Sequence, residues 1–225
     1  KEGALAALDP WLPSASNLSN AINEYERETF TLDDALYAIG MQTPTFDGKS
    51  PITLTTFVRQ DYLDALGLSM PDDLESFRDM LVQFKEFDNQ TGTPTIPYTL
   101  SSSTTVINGI IGAFGMPNEW NEVDGKLVHR AADPRMKDYL TYMKELYQEG
   151  LIDVDYPANQ SSNVYEKFAT GVAASAFLSC YDYQNFADTM ANVQPDAEIS
   201  YMPPLKGEDG TAAVGSVSGG MDRIG

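Results

Sequence analysis

The sequence is poor in the residues that build disulfides and metal sites. Its 225 residues contain one cysteine, Cys180, and one histidine, His129. A single cysteine cannot close an intramolecular disulfide, and the spaced Cys and His pairs that bind zinc are absent. His129 is better explained as a bystander than as a general base, because the sequence offers no partner to orient it. We therefore expect no metal and no cofactor.

Long apolar runs and positive charge are also scarce. No run approaches the roughly 20 apolar residues that a membrane-spanning helix needs. The chain has 33 acidic and 14 basic residues, a formal net charge of −19. Such a charge repels phosphate backbones and anionic membrane surfaces, so we expect no nucleic-acid partner. Because the acidic residues are spread along the chain, they indicate a solvated surface rather than a cation-binding patch.

The hydrophobic fraction of 42% and the aromatic fraction of 11% are typical of a folded globular protein. Residues 51–58 are β-branched and aromatic, which predicts a strand covered on at least one face. Residues 61–66 predict a short helix, and Gly67 follows where a left-handed cap is needed. Asp73 can cap a longer helix, whose apolar side chains recur at helical spacing: Leu74, Phe77, Leu81 and Phe84.

The rest of the chain continues to alternate between helices and strands. Asp124-Gly125 is a strong hairpin signal, and Asp133-Pro134 is typical of a helix start. Further predictions are helices over residues 17–25, 104–114, 133–150, 164–169 and 184–191, a turn and strand over residues 33–39, and strands over residues 172–178 and 198–202. Alternation of this kind predicts an α/β fold with helices on both faces of a mostly parallel sheet.

The order of these elements carries a family resemblance. Residues 58–68, VRQDYLDALGL, followed by Pro71 and by LESF at residues 74–77, resemble a run found in the extracellular solute-binding proteins of family 1. These proteins are the carbohydrate-type receptors of ABC importers. Four further pieces follow in the family's order: GAFG at 112–115, DGK at 124–126, LYQEGLI at 146–152 and FATG at 168–171. No piece is specific alone, but together they cover most of the chain.

The resemblance implies a periplasmic-binding-protein-like fold of type II, present mostly as its second lobe. We expect residues 1–50 to be a remnant of the first lobe and a hinge strand, residues 51–205 the second α/β lobe, and residues 206–225 the return crossing. Because family members are about twice as long, we interpret the chain as an internal fragment. The resemblance also implies an extracellular location, as a cell-surface lipoprotein or in the periplasm, with the N-terminal lipid anchor missing here.

The implied function is non-catalytic. The family members bind an oligosaccharide and deliver it to ABC permease subunits, and we expect a monomer. Many relatives carry a calcium loop where this chain has residues 87–97. Asp88 and Gly92 remain, but Gln90, Pro94 and Thr95 occupy positions where carboxylates are expected. We therefore predict a plain connecting loop without calcium.

Candidate binding residues lie in loops that follow predicted strands, because ligands of open α/β sheets bind outside the carboxyl ends of the strands. Sugars need aromatic faces together with hydroxyl, amide and charged groups. We predict Tyr181 as a stacking platform, whereas Tyr98 and Trp120 fit a core position equally well. The full predicted site consists of Arg59, Tyr98, Thr99, Ser101, Trp120, Tyr181, Asp182 and Tyr183.

Two other function classes have less support from the sequence. The abundant carboxylates leave open a carbohydrate-active enzyme, which needs two of them across the scissile bond. However, the sequence has no nucleophile elbow, HExxH, P-loop or dinucleotide fingerprint. An adhesive role has no support from the net charge or from internal repeats, which are absent. Binding without catalysis is therefore the favoured hypothesis.

Overall fold

The computed structural model describes residues 5–40, 54–102, 109–179, 182–208, 210 and 212, with only the backbone of Tyr25. The chain divides into two compact units, Lys1–Pro51 with Ser218–Gly225, and Ile52–Val217. Within the described ranges, no helix combines the length and the apolar character that crossing a membrane would require.

The first unit contains two short helices and a hairpin. A 3₁₀ turn, Leu12–Ser14, precedes α1 (Ser16–Ala21) and α2 (Glu24–Phe30), and β1 (Thr31–Leu32) pairs with β2 (Ala35–Leu36). The predicted single helix over residues 17–25 is wrong, because Ile22 adopts an extended backbone between the two helices. Asn23 then caps α2: its Oδ1 accepts from the Glu26 amide at 2.9 Å, and the Glu26 carboxylate accepts from the Asn23 amide.

Of the turn and strand predicted over residues 33–39, the turn is confirmed, and the strand is shorter than expected. Asp33 and Asp34 both have positive φ, 50° and 63°, and form the tight turn between β1 and β2. Aspartate tolerates this conformation better than most residues, which explains why these two positions form the turn. The small core of this unit contains Leu12, Ile22 and Leu36.

The second unit is built on a sheet centred on β3 (Leu54–Arg59). β6 (Ser175–Ser179) and β7 (Ile199–Tyr201) pair antiparallel with its two sides. On the far side of β6, residues 96–99 run parallel to it through the pairs Ile96–Ala173 and Thr99–Ala176, and Tyr98 pairs in parallel with Ile152. The mostly parallel sheet predicted from the sequence is therefore wrong for β3, since hydrophobic periodicity carries no information on strand direction.

Helices cover both faces of this sheet, as predicted. Along β3, Val58 belongs to a core formed with α3 (Gln60–Leu66) and α4 (Leu74–Glu86). Its neighbour Phe57 points to the other face and meets α6 (Ser161–Ala169) and α7 (Tyr183–Val193). The alternation follows from the pleat, which sends successive side chains to opposite faces. The predicted helices at 164–169 and 184–191 and the strands at 172–178 and 198–202 are thus confirmed with shifted ends.

Several predicted caps are confirmed. Gly67 ends α3 with φ of 66°, and Asp73 caps α4 by accepting from the Ser76 amide at 2.8 Å. β4 (Trp120–Val123) and β5 (Lys126–His129) form the predicted hairpin, with Asp124 and Gly125 at positive φ in its turn.

Two predicted helices differ from the structure. α5 (Met136–Gln148) begins three residues after Asp133, whose carboxylate accepts hydrogen bonds from both the amide and the guanidinium group of Arg135. In the region predicted as a helix over residues 104–114, the described part is a 3₁₀ turn, Ile111–Phe114, ended by Gly115 at φ of 72°. Residues 103–108 lie outside the described residues. A further 3₁₀ turn, Arg130–Ala132, precedes α5.

Candidate functional site

Three parallel segments end at one edge of the sheet in the second unit. Because residues 96–99 and β6 run in the same direction, the chain leaves both at this edge, at Ser101–Ser102 and after Ser179. Ile152 pairs in parallel with Tyr98, so the next residue along the chain, Asp153, lies at the same edge. We call this edge, with Ser101, Ser102, Ser161, Tyr165, Asp182, Tyr183 and Asn185, the strand-end surface.

Asp153 holds the loops beneath the strand-end surface. Its side chain is 1% exposed, and its Oδ2 accepts hydrogen bonds from Thr99 Oγ1 at 2.7 Å, Asn159 Nδ2 at 2.8 Å and Lys167 Nζ at 2.8 Å. Its Oδ1 accepts from the Asp155 amide at 3.1 Å. All four donors belong to the protein itself. They supply the hydrogen bonds that a carboxylate needs when it is buried away from water.

The protonation state of Asp153 follows from these contacts. Burial raises the pKa of its carboxyl, but the hydrogen bonds from Lys167, Thr99 and Asn159 outweigh burial, so that the pKa lies below its ordinary value. The carboxylate is therefore ionised at neutral pH. A glycosidase acid needs the opposite, a carboxyl whose pKa is raised.

Asn159 extends the same network to the exposed chain. Its main-chain oxygen accepts from the Ser102 amide at 3.1 Å and from Ser102 Oγ at 3.3 Å. Its Nδ2 also donates to the Leu100 carbonyl at 3.3 Å. The conformation of the loop from Leu100 to Ser102 is therefore fixed through Asn159.

Tyr165 and Asp182 form the aromatic and acidic part of the strand-end surface. The Tyr165 hydroxyl donates to the Asp182 carboxylate, and Asp182 Oδ1 also accepts from Asn185 Nδ2 at 3.1 Å. Burial and the negative charge of Asp182 raise the pKa of Tyr165 to about 12. The phenol is therefore protonated at neutral pH, and the carboxylate is orientated by two donors.

Tyr165 was not predicted as a site residue. It lies on α6, four residues after Ser161, where a helical pattern assigns an aromatic residue to the core. Its second role, as a partner of Asp182, depends on a contact between α6 and the start of α7 that the sequence pattern does not reveal. Tyr183, which was predicted, starts α7 at this edge, is 37% exposed and lies against Phe186 with ring centroids 5.5 Å apart.

Two predicted residues of the first loop are buried. Tyr98 is completely buried, its ring meets Phe77 edge-on at 5.6 Å, and its hydroxyl lies 3.5 Å from Thr56 Oγ1. Thr99 is equally buried and bonded to Asp153. The interpretation of Tyr98 and Thr99 as ligand contacts is therefore corrected: both pack in the core beneath the site. Ser101 is 3% exposed at the point where the chain emerges.

Arg59 lies at the opposite end of the sheet. The strand from Leu54, which pairs with Ser179, to Arg59 spans roughly 17 Å. The Arg59 side chain is 2% exposed, forms an ion pair with Asp61 at 2.5 Å, and covers the ring of Tyr62 at 4.1 Å. Its prediction as a ligand contact at the strand-end surface is corrected, because both its position and its burial exclude that contact.

The remaining predictions concern Trp120 and Tyr181. Trp120 lies on the β4–β5 hairpin, is 53% exposed, and meets the His129 ring edge-on at 5.1 Å. It is therefore not a core residue of the hairpin. His129 Nε2 in turn lies 3.2 Å from Glu119 Oε1. Tyr181 lies outside the described residues, so its stacking role stays a prediction.

In the loop at residues 87–97, which occupies the position of the calcium loop in many relatives, side-chain oxygens accept hydrogen bonds from the loop itself. Asp88 Oδ1 accepts from the Gln90 amide, and Asn89 Oδ1 accepts from the amide and hydroxyl of Thr91. Among the residues that the structure describes, no three His, Cys, Asp or Glu side chains are placed to hold a metal ion.

No family model matches the chain. Among curated proteins, it is 27% identical to the polygalacturonan/rhamnogalacturonan-binding protein YtcQ of Bacillus subtilis over 100% of this chain and 44% of YtcQ. It is 28% identical to lipoprotein LipO of the same organism over 77% of this chain and 34% of LipO. The fructooligosaccharide ABC transporter substrate-binding protein FusA of Streptococcus pneumoniae is 26% identical over 65% of this chain and 29% of FusA.

The chain is thus similar over its whole length to a solute-binding protein, and over most of its length to two further proteins of this kind. It spans less than half the length of the curated relatives it matches. Among solved structures of these solute-binding proteins, the complex of S. pneumoniae FusA with kestose has a TM-score of 0.73 at 18% identity, covering 99% of this chain and 48% of FusA. Maltose-bound MalE3 of T. maritima has a TM-score of 0.63 at 14% identity, covering 93% and 50%. The predicted periplasmic-binding-protein-like fold is thereby confirmed.

Proposed function

We propose that this chain is the greater part of one lobe of a carbohydrate receptor that delivers an oligosaccharide to an ABC importer. Residues 51–205 would be the second lobe, residues 1–50 a remnant of the first with a hinge strand, and residues 206–225 the return crossing. The ligand class is supported by the similarity to YtcQ, a polygalacturonan/rhamnogalacturonan-binding protein, and to FusA, a fructooligosaccharide ABC transporter substrate-binding protein.

The strand-end surface is the proposed ligand-facing part of this lobe. In two-lobed receptors the ligand lies between lobes that close around it, and in α/β sheets it lies beyond the carboxyl ends of strands. The observation that carries the proposal is the meeting of Tyr165, Asp182 and Asn185 at this edge. A carboxylate accepts from sugar hydroxyls, an amide donates and accepts, and the half-exposed ring of Tyr183 offers an apolar face.

The receptor would make and break no bond. Asp153, a carboxylate at this edge, is buried, ionised and hydrogen-bonded to four donors of the protein, which is the opposite of the protonated carboxyl that a glycosidase acid needs. A carbohydrate-active enzyme with paired carboxylates remains the alternative that the experiment below distinguishes. The proposed location is extracellular, as a cell-surface lipoprotein or in the periplasm, with permease subunits as partners and a monomeric receptor.

The test is calorimetric titration of the natural protein that contains these 225 residues. We would use kestose, trigalacturonate and maltotriose, with chromatographic analysis of the sugar afterwards. Binding of at least one sugar with Kd below about 100 μM and recovery of that sugar intact are expected. Failure of all three and of longer plant oligosaccharides would overturn the proposal. New reducing ends in the recovered sugar would establish the enzyme instead.

A further inference from the structure

We infer that Asp153 is a positioning residue that sets the geometry of the strand-end surface from below. Asp153 does not reach a ligand itself, because its side chain is 1% exposed. Its influence passes through the groups that it holds on two different segments of the chain. The part of this inference that concerns sugar affinity rests on the proposed function, whereas the part that concerns the loop does not.

The first segment is the loop after residues 96–99. Thr99 Oγ1 donates to Asp153 Oδ2 at 2.7 Å, and the Asp153 amide donates to the Tyr98 carbonyl at 2.9 Å. Asn159 is held by the same oxygen at 2.8 Å and binds the Ser102 amide through its main-chain carbonyl at 3.1 Å. Asp153 therefore determines where Ser102 stands, although the two residues are not bonded to one another.

The second segment is α6. Lys167 donates from Nζ to Asp153 Oδ2 at 2.8 Å and to Asn159 Oδ1 at 3.3 Å. The same helix carries Tyr165, whose hydroxyl binds Asp182. The ion pair thus ties the helix that carries the phenol to the loop that carries Ser102, and it aligns the two halves of the surface before any ligand arrives. Such preorganisation raises affinity because less order has to be imposed on binding.

An asparagine cannot replace Asp153 in this arrangement. A carboxylate offers acceptor positions on both oxygens, whereas an amide has one acceptor oxygen and one donor nitrogen. In Asp153→Asn, the new NH₂ group can take the place of either oxygen. In the place of Oδ2 it would face the donors of Lys167, Thr99 and Asn159. In the place of Oδ1 it would face the donating amide of Asp155. One side of the network must therefore open, although the change in volume is small.

Asp133 provides a matched control. Its side chain is also fully buried, its Oδ1 accepts from the amide of the residue two positions later at 3.0 Å, and its Oδ2 pairs with the basic side chain of Arg135 at 2.6 Å. Asp133 lies before α5, and among the residues that the structure describes its carboxylate bonds only to Arg135. Asp133→Asn therefore breaks a similar buried ion pair without touching Thr99, Asn159 or Lys167.

The experiment compares backbone hydrogen exchange at Ser102 in the natural protein and in its Asp153→Asn and Asp133→Asn variants. We expect the protection of the Ser102 amide to fall at least tenfold in Asp153→Asn and to stay unchanged in Asp133→Asn. The double variant Asp153→Asn/Lys167→Met removes the cation that has lost its closer carboxylate partner, so it should recover thermal stability without recovering Ser102 protection. Recovery of both would show that Asp153 has only a structural role and would overturn the inference.

Sugar titrations of the same variants complete the test. With the sugar that binds the natural protein, affinity should fall at least tenfold in Asp153→Asn and less than twofold in Asp133→Asn. Equal losses in both variants would overturn the inference. If the natural protein binds no sugar, the proposed function fails, while the exchange at Ser102 still decides whether Asp153 positions the loop.

Discussion

Lys167 and Asp153 form an ion pair at 2.8 Å whose carboxylate is fully buried and whose ammonium group is about one-fifth exposed. The pKa of Asp153 in the folded protein lies below its ordinary value, because hydrogen bonds from Lys167, Thr99 and Asn159 outweigh the effect of burial. A carboxyl with a lowered pKa stabilises the fold at pH values above its unfolded pKa of about 4. That contribution is lost as the pH falls through the folded pKa.

We therefore predict a pH-dependent difference between the natural protein and Asp153→Asn. At pH 7, the variant should unfold with a free energy lower by about 2 kcal/mol, because the amide cannot accept from every donor around it and Lys167 keeps only the more distant carboxylate of Asp155, 3.4 Å away. Below pH 4 the difference should shrink, since the native carboxylate also loses its charge. Urea unfolding from pH 7 to pH 2.5 measures both values, and a difference that stays constant over this range would contradict the prediction.

Replacing glycine by alanine should lower the free energy of unfolding by different amounts at Gly171 and at Gly67. Both have positive φ, 79° and 66°, which strains any residue with a Cβ atom. At Gly67 nothing lies within 4 Å of an added Cβ, whereas at Gly171 it would lie 2.9 Å from the Tyr62 hydroxyl and 3.0 Å from Gln194. Gly67→Ala should cost about 1 kcal/mol of unfolding free energy, from strain alone.

Gly171→Ala should cost clearly more, because Tyr62 also donates to the Gly171 carbonyl at 3.0 Å and cannot move away freely. Thermal and urea unfolding of the two variants side by side provide the comparison. Equal costs would mean that the Tyr62 hydroxyl yields without loss of its hydrogen bond.

The local elements of the second unit could be predicted because their signals are local. The Asp73 cap, Gly67 and the Asp124-Gly125 turn each depend on residues within a few positions of one another. The start of α5 was placed too early because the Asp133 carboxylate binds the amide and the guanidinium group of Arg135, and α5 begins only at the next residue. Charge-assisted, bidentate hydrogen bonds of this kind are among the stronger ones in proteins.

The site was harder to predict because it depends on the direction and burial of strands. The sequence places Tyr98 next to hydroxyl residues after a strand, but its ring lies on the buried face of the strand and packs against Phe77. A shift of one residue exchanges the two faces of a strand, and no local signal determines which face the last residues take. Tyr165 was missed for a related reason, since its contact with Asp182 joins residues of two different elements.

Calcium should have no effect on this chain. Asp88 is the only acidic residue between residues 87 and 97, and its Oδ1 is already bonded to the Gln90 amide. Calcium needs six to eight oxygen ligands, several of them charged. Melting curves with 1 mM calcium and with excess chelator are expected to agree within about 1 °C, and a fall of several degrees on chelation would refute the prediction.

Tyr181 remains the predicted stacking platform of the site. Tyr181→Ala in the natural protein should lower sugar affinity by about 1 to 3 kcal/mol, or roughly ten- to hundredfold, through loss of aromatic burial. Stability should change little, because a residue that faces a cleft is partly exposed before the ligand arrives. Unchanged affinity together with lost stability, measured by titration and by thermal melting, would make Tyr181 a core residue instead.

Tyr165→Phe tests whether Asp182 needs an orientated carboxylate to bind sugar. The variant removes only the hydroxyl that donates to Asp182, and the ring can keep its place beside Phe186, 6.3 Å away between centroids. Loss of one such hydrogen bond should lower sugar affinity by about 1 kcal/mol, or about fivefold. The alkaline titration near pH 12 that we assign to Tyr165 should disappear from the ultraviolet spectrum as well.

Tyr142→Phe is the matched control, because its hydroxyl donates to the Leu74 carbonyl at 2.8 Å and has no part in the strand-end surface. That variant should lose stability by about 1 kcal/mol and keep its sugar affinity. If Tyr165→Phe binds sugar as well as the natural protein does, Asp182 either is held in place by Asn185 alone or does not contact the ligand. The double variant Tyr165→Phe/Asn185→Ala separates these cases, since it leaves Asp182 without either donor.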